Sequence, residues 1–534
     1  MTTNRDLTAA WAYHDGTKHS LQGVRSNPHY LDWENKPLPF KIYSTLEPLP
    51  LPRELPAVPI PTLEAIAASA ISGREGCIPN VPTLAALLYL SAGITKQRPY
   101  PDGQVYFFRA AACTGALYHI DVYLVCGELT ELPAGVYHFE PRSFTLRRLR
   151  AGDHRGVLAQ ASGREPAVMH APVTVVCTST YWRNAWKYQA RTYRHCFWDT
   201  GTLLANLLAT ATALEVPARV VAGFVDAEVN RLLDLDTKRE VALALVPLGN
   251  VAESVPNSFP VIEPLNLPTA PLSKTEVDYP AIRVMHAASS LAEESEVSSW
   301  RGGMPTNPDS VPTGRVFPLT PLDDSALPAA PLAQVIRQRG STRFFAREPL
   351  SFAQLSTLLT RSTQGVPADF LSPTGTTLID LYLVVNAVED LPAGTYVFHR
   401  RRNALELLRE GNFRREAGYL GLGQELPADA NVNIFCLADL PPIVERFGNR
   451  GYRAAQLEAA IIGGKCYLAG YGQQLGATGL TFFDDDVTAF FAPHATGKSA
   501  IFVVALGHTA RENRVRPFRS RVGMRLDALS RRDC

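Results

Sequence analysis

The sequence predicts an α+β domain present twice in one chain, the copies packed as an intrachain pseudo-dimer. Three observations carry this. At 534 residues the chain exceeds what one hydrophobic core usually supports. The segment ELPAGVYHFEPRSFTLRRLRAGD returns later as DLPAGTYVFHRRRNALELLREGN, with Leu132 and Leu391 standing 259 positions apart. A stretch rich in Pro, Ser, Glu and Asn separates the two regions. A repeat of about 200 residues is a duplicated domain, because solenoid units run about 20 to 50 residues.

Residues 1–60 read as an N-terminal segment. Its polar opening lacks the apolar core of a secretory signal, so a cytoplasmic protein is expected. Residues 61–250 form the first copy. IDVYLVCGEL, GVYHF, APVTVVCTST and VALALVPLG are rich in Val and Tyr and read as strands. Residues 200–214 are uncharged but short for a membrane span of about 20 residues, which predicts a buried helix. Residues 251–330 are expected to be linker draped on the surface. The second copy, 331–534, repeats the pattern: IDLYLV answers IDVYLV, and Tyr452-Arg453 answers Tyr193-Arg194. Its long helix carries Gly463, Gly464 and Gly470, residues that cost helix propensity and so point to a close neighbour.

Composition narrows the function. Lys+Arg 52 against Asp+Glu 51 gives a net charge of +1, so no summed field draws the protein to nucleic acid or an anionic membrane. The eight cysteines include no CxxC pair, which predicts reduced thiols without a metal centre. Asp484, Asp485 and Asp486 read as a solvated helix start, and Cys113 as a packed thiol. Thr496-Gly-Lys-Ser lacks the earlier glycine of a phosphate-binding P-loop.

The strongest chemical signal opens the second copy, where VIRQRGSTRFF gathers Arg337, Arg339 and Arg343 around Ser341. Guanidinium forks flanking a hydroxyl suit a phosphate monoester. A solvated basic helix end is the competing reading.

R-x-S-x-R at the start of such a domain resembles the phosphate-binding start of FMN-dependent nitroreductases. CTGALYHIDVYLV, ELPAGVYHFEP, KYQARTYRHCFWDTG, LGATGLTFFDDDVTAFF and GKSAIFVVALG resemble the SagB/ThcOx-type dehydrogenase branch, whose members oxidise peptide azolines to azoles or perform related FMN-dependent dehydrogenations. The resemblance implies two nitroreductase folds in tandem, FMN as cofactor, a small-molecule or peptide substrate and a role beside biosynthetic partner enzymes. It assigns Arg339, Ser341 and Arg343 to the flavin phosphate. The first copy keeps Ser72 and Arg74 but has Ala70 where the leading Arg would stand. The loop that covers the flavin in the family, often P-S-x-G, corresponds to Ala112-Cys113-Thr114-Gly115 in one copy and Ser372-Pro373-Thr374-Gly375 in the other, both of which depart from that pattern. The catalytic Lys-Tyr pair of azoline dehydrogenases matches Lys187-Tyr188, read here as a helix start, whereas the second copy has Arg446-Phe447. Lys and Tyr can be tuned to move protons; Arg stays charged and Phe cannot titrate.

One composite site is therefore expected, and one FMN per chain. It joins Arg339, Ser341, Arg343 and a loop of Gly476, Ala477, Thr478 and Gly479 with Thr114, Gly115, Lys187 and Tyr188. Arg109 and Lys498 are lesser candidates for flavin contact. Two other functions fit the same residues: an NAD(P)H-dependent nitroreductase or quinone reductase, and a non-catalytic binding module.

Overall fold

The computed structural model describes residues 4–26, 28–67, 76–99, 105–255, 261–304, 311–373 and 375–510. Val-rich runs bounded by turns become strands whose every residue is buried, because helices cover both faces. The strands of the first region are β1 (Pro48–Pro50), a separate hairpin β2 (Ile94–Pro99) and β3 (Val105–Arg109), then β4 (Ile120–Cys126), β5 (Gly135–Glu140), β6 (Thr145–Ala151), β7 (Val173–Thr180) and β8 (Glu240–Leu248), of which β4, β7 and β8 are the fully buried Val-rich runs. The second region supplies β9 (Val316–Pro318), β10 (Asp380–Val385), β11 (Gly394–His399), β12 (Ala404–Glu410), β13 (Val432–Ala438), β14 (Gly476–Gly479) and β15 (Ser499–Gly507).

Two antiparallel sheets result, ordered β1-β6-β5-β4-β7-β8 and β14-β15-β13-β10-β11-β12-β9. β11, β12, β13 and β15 each begin 259 positions after β5, β6, β7 and β8. Even the irregularities correspond. The β5–β6 register shifts between Val136 and Tyr137, the β11–β12 register between Thr395 and Tyr396. A bulge fixes local twist and side-chain direction, so its repetition is a finer match than strand order.

Helices Thr192–Ala213 and Asn449–Gly472 lie against each other at the centre, almost wholly buried. Gly464 is needed there: a Cβ on it would stand 2.6 Å from that of Ala205. Neither helix is long and apolar enough to cross a membrane, nor is any other among the described residues.

Two buried ionic clusters tie the halves together. Arg191 and Arg194 contact Asp484 at 3.0 and 2.6 Å, while Arg450 and Arg453 contact Asp226 at 2.6 and 2.7 Å. Arg191 and Arg194 stand 259 positions before Arg450 and Arg453, so each half offers an arginine pair to the other's aspartate. Burial alone would raise both carboxyls, but the guanidiniums outweigh it and hold each at about 2. Asp484 is thus buried rather than solvated, contrary to the sequence expectation, because its partners lie some 290 residues away.

The stretch between the halves also departs from expectation. Rather than draping the surface throughout, it forms helices Pro280–Ala288 and Glu294–Trp300, which bury Ile282, Met285, Val297 and Trp300. These apolar residues are too sparse in a polar run to announce a helix face. Seven cysteines are free thiols, and Cys534 lies outside the described residues.

Candidate functional site

The arginine-rich motif follows directly on helix Leu332–Gln338, which packs on the central helices. Arg339 reaches across to the first half, donating from Nε to the Ala110 carbonyl at 2.9 Å and from Nη2 to that of Arg109 at 3.0 Å. Ser341 Oγ lies 3.3 Å from the Tyr467 hydroxyl, which also accepts from the Gly479 N–H. Thr342 N–H donates to the Ala477 carbonyl at 2.9 Å. Gly476, Ala477, Thr478 and Gly479 are the strand β14, paired with β15, rather than the expected loop. A four-residue edge strand of small residues carries no period by which to recognise it.

In the first half, Asp199 gathers the Thr114–Gly115 loop. Its carboxylate accepts from Thr114 N–H at 2.9 Å, Thr114 Oγ1 at 2.7 Å and the Cys113 thiol at 3.0 Å. His119 Nε2 stands 2.8 Å from it, and His119 Nδ1 is 2.8 Å from Ser179 Oγ. Cys113, His119 and Asp199 converge as metal ligands would, but hydrogen bonds among them account for the approach. Burial and the Asp199 charge push the Cys113 thiol well up, which keeps it a proton donor. Asp199 and His119 escaped the sequence reading because their spacing of 80 residues matches no local motif.

The loop is pressed onto the catalytic candidates. Gly115 has φ +62°, and a Cβ there would meet the Tyr188 hydroxyl at 2.9 Å. Lys187 and Tyr188 close helix Tyr181–Tyr188 instead of opening one; Gln189, at φ 50°, breaks the chain before the next helix begins. Local sequence missed this break because nothing in KYQART is a helix breaker. The Lys187 ammonium is depressed by burial and by the positive charges of Arg343 and Lys36. Tyr188 moves the other way, raised by burial and by the nearby Asp199 and Cys113, against a smaller opposing field from Arg343. Arg343 thus acts on both residues from the opposite half.

Two candidates stand elsewhere in role or place. Arg109 is buried, donating to the carbonyls of Ile120 at 3.3 Å and Pro39 at 2.5 Å between the Phe40 and Tyr118 rings. Burial lowers it to about 10. Its backbone carbonyl, rather than its charge, meets Arg339. Lys498 pairs with Asp380 beside Tyr382, away from the residues above. Ala70, Ser72, Arg74 and Thr374 lie outside the described residues.

The places 259 positions on from Cys113 and Lys187-Tyr188 are filled by the chain itself. Gly303 abuts the Ser372 backbone so closely that any Cβ would collide with it. Arg446 Nη2 donates to the Arg301 carbonyl at 2.9 Å, Trp300 Nε1–H to the Phe447 carbonyl at 2.9 Å, and the Trp300 and Phe447 rings are 5.5 Å apart.

Parts of the chain are similar to known proteins. Residues 83–250 match the Nitroreductase family. A Methanocaldococcus jannaschii protein named as a nitroreductase, MJ1384, is 24% identical over 202 residues, 38% of this chain and 96% of that one. The Escherichia coli microcin B17-processing protein McbC is 28% identical over 160 residues, 29% of this chain and 55% of McbC. A crystal structure of an Anabaena variabilis protein named as a nitroreductase superposes with TM-score 0.74 at 26% identity, covering 94% of this chain and 99% of that one. The chain therefore contains a nitroreductase-family domain.

Proposed function

We propose that the chain is a tandem duplication acting as an FMN-dependent dehydrogenase with one flavin site, built from both halves. The observation that carries this reading is Arg339, beside Ser341 in the second half, donating to the Ala110 and Arg109 carbonyls that lead into the Thr114–Gly115 loop of the first, the loop that abuts Tyr188. Phosphate motif and proton-transfer pair then belong to one place. The donor set fits FMN: guanidiniums and a hydroxyl suit its phosphate, and the Thr114–Gly115 loop is fixed by Asp199 beside Tyr188. The bound flavin would supply hydride acceptance.

The chain's own residues divide the remaining work. Lys187, pushed toward its neutral form, takes the proton from the carbon being oxidised. Tyr188, pushed to remain protonated, donates a hydrogen bond. Arg339 braces the two halves at the site. The substrate class is a peptide-derived C–N or C–S heterocycle such as an azoline. Two observations support it: the likeness to McbC, and the Arg301–Gly303 segment lodged at the equivalent place, held by Arg446 through a main-chain carbonyl.

The test is the absorbance spectrum and flavin content of the purified or reconstituted protein, beside an Arg339→Ala/Arg343→Ala variant. About one FMN per chain, lost in the variant, is expected. Two FMN would overturn the single site, and none after reconstitution would overturn the enzyme. Azoline-dependent flavin bleaching without NAD(P)H is the expected reaction.

A further inference from the structure

Asp199 takes two donors on each carboxylate oxygen. Oδ1 accepts from Thr114 N–H at 2.9 Å and Thr114 Oγ1 at 2.7 Å, while Oδ2 accepts from the Cys113 thiol at 3.0 Å and stands 2.8 Å from His119 Nε2. A carboxylate only accepts, so His119 carries a proton on Nε2. Its Nδ1 then accepts from the Ser179 hydroxyl at 2.8 Å, and the Cys196 thiol donates to Ser179 Oγ at 3.3 Å. Every bond of this chain runs toward Asp199. Ser179 and His119 are fully buried, so the serine offers no nucleophile to a substrate.

The second half shows that the fold does without the chain. At the places 259 positions on stand Leu378 for His119, Ala438 for Ser179 and Glu458 for Asp199. Glu458 accepts instead from Leu378 N–H at 2.7 Å and the Thr377 hydroxyl at 2.5 Å. The counterpart of Thr114 is Pro373, which has no N–H to give. Burying a polar side chain is costly unless it is bonded. Where Leu and Ala complete the equivalent core, the histidine and serine of the first half serve the loop rather than the fold.

We propose, resting on the function above, that His119 is a positioning residue for the flavin-covering loop: oriented by Ser179, its Nε2–H fixes the Asp199 carboxylate, which seats Thr114 and Gly115 against Tyr188. The fit at that point is close, since a Cβ on Gly115 would stand 2.9 Å from the Tyr188 hydroxyl. A drift of the loop therefore disturbs the flavin cover and the proton-transfer pair together.

Titration of the full chain with FMN, followed by flavin fluorescence, tests this. His119→Leu writes the second half's residue into the first and is expected to weaken FMN binding about tenfold, the loss of one hydrogen bond to a charged group. His119→Gln puts an amide N–H where Nε2–H stood and is expected to recover most of that affinity. Ser179→Ala, which frees the imidazole tautomer, falls between the two. A second readout needs no flavin: alkylation of Cys113 by iodoacetamide, read by mass spectrometry against Cys77, should quicken in His119→Leu and return toward wild type in His119→Gln. Equal FMN affinity in wild type and His119→Leu, equal losses in the Leu and Gln variants, or Cys113 labelling indifferent to position 119 would overturn the proposal. A wild-type chain that takes up no FMN, with Cys113 labelling still following the donor at position 119, would sustain the seating of the loop and sink the dehydrogenase reading.

Discussion

Lys187-Tyr188 and Arg446-Phe447 occupy equivalent ends of equivalent helices, yet their surroundings have parted. Around the first pair stand Arg343, Lys36 and the Thr114–Gly115 loop; around the second lies the chain's own Trp300–Gly303. The difference lies less in the scaffold than in what the connecting segments do. One segment runs over the helix that presents a titratable lysine, and the other fills a place whose arginine and phenylalanine could move no proton.

The comparison can be broken first at the ionic clusters, which are meant to be equal. Asp226→Ala and Asp484→Ala each leave two buried guanidiniums unpaired, at a cost of about 3–5 kcal/mol. Urea unfolding should give losses of similar size, and a harmless member would show that the clusters are not equivalent. Next comes Trp300→Ala. Removing this buried ring should cost about 3–5 kcal/mol while flavin at the Lys187 site persists; a second equivalent of flavin would mean that Trp300 alone closes the other place.

Acid gives a smaller effect on both clusters together. Their carboxyls sit at about 2 in the folded chain, below the unfolded value of about 3.9. The stabilisation is complete above that value and is lost as pH falls through 4 toward 2, on the order of 2 kcal/mol per carboxylate. Stability measured from pH 5 down to 2 should fall less steeply in Asp226→Asn. The smallest effect is expected from Arg446→Lys/Phe447→Tyr. With Trp300 in place, restoring the pair should change neither flavin content nor turnover, and a gain in either would show that side-chain identity was the only barrier.

The strands and central helices were legible because their signals are local: a buried Val-rich run reads as strand wherever it falls, and the repeat doubles each such signal. Arg343 and Lys187 were legible, through resemblance, as members of one composite site joining the two halves; the effect of the Arg343 charge on Lys187 was not. Asp199, Asp484 and Trp300 were misread or passed over because each acquires its role from a partner between 80 and 290 residues away. Gly476–Gly479 was taken for a loop since its strand character comes from β15.

The reciprocal ionic clusters have a consequence for covalent continuity. All four guanidiniums and both carboxylates lie outside the segment that joins the halves, as does the seam between the central helices. Val311, 77% exposed, offers a cutting point in that segment beyond Trp300. A protease acting there would sever the backbone yet leave every cross-contact in place. The two fragments should then elute as one particle and separate only in denaturant, so the peptide link serves to guarantee equal supply of unlike partners rather than to hold them together.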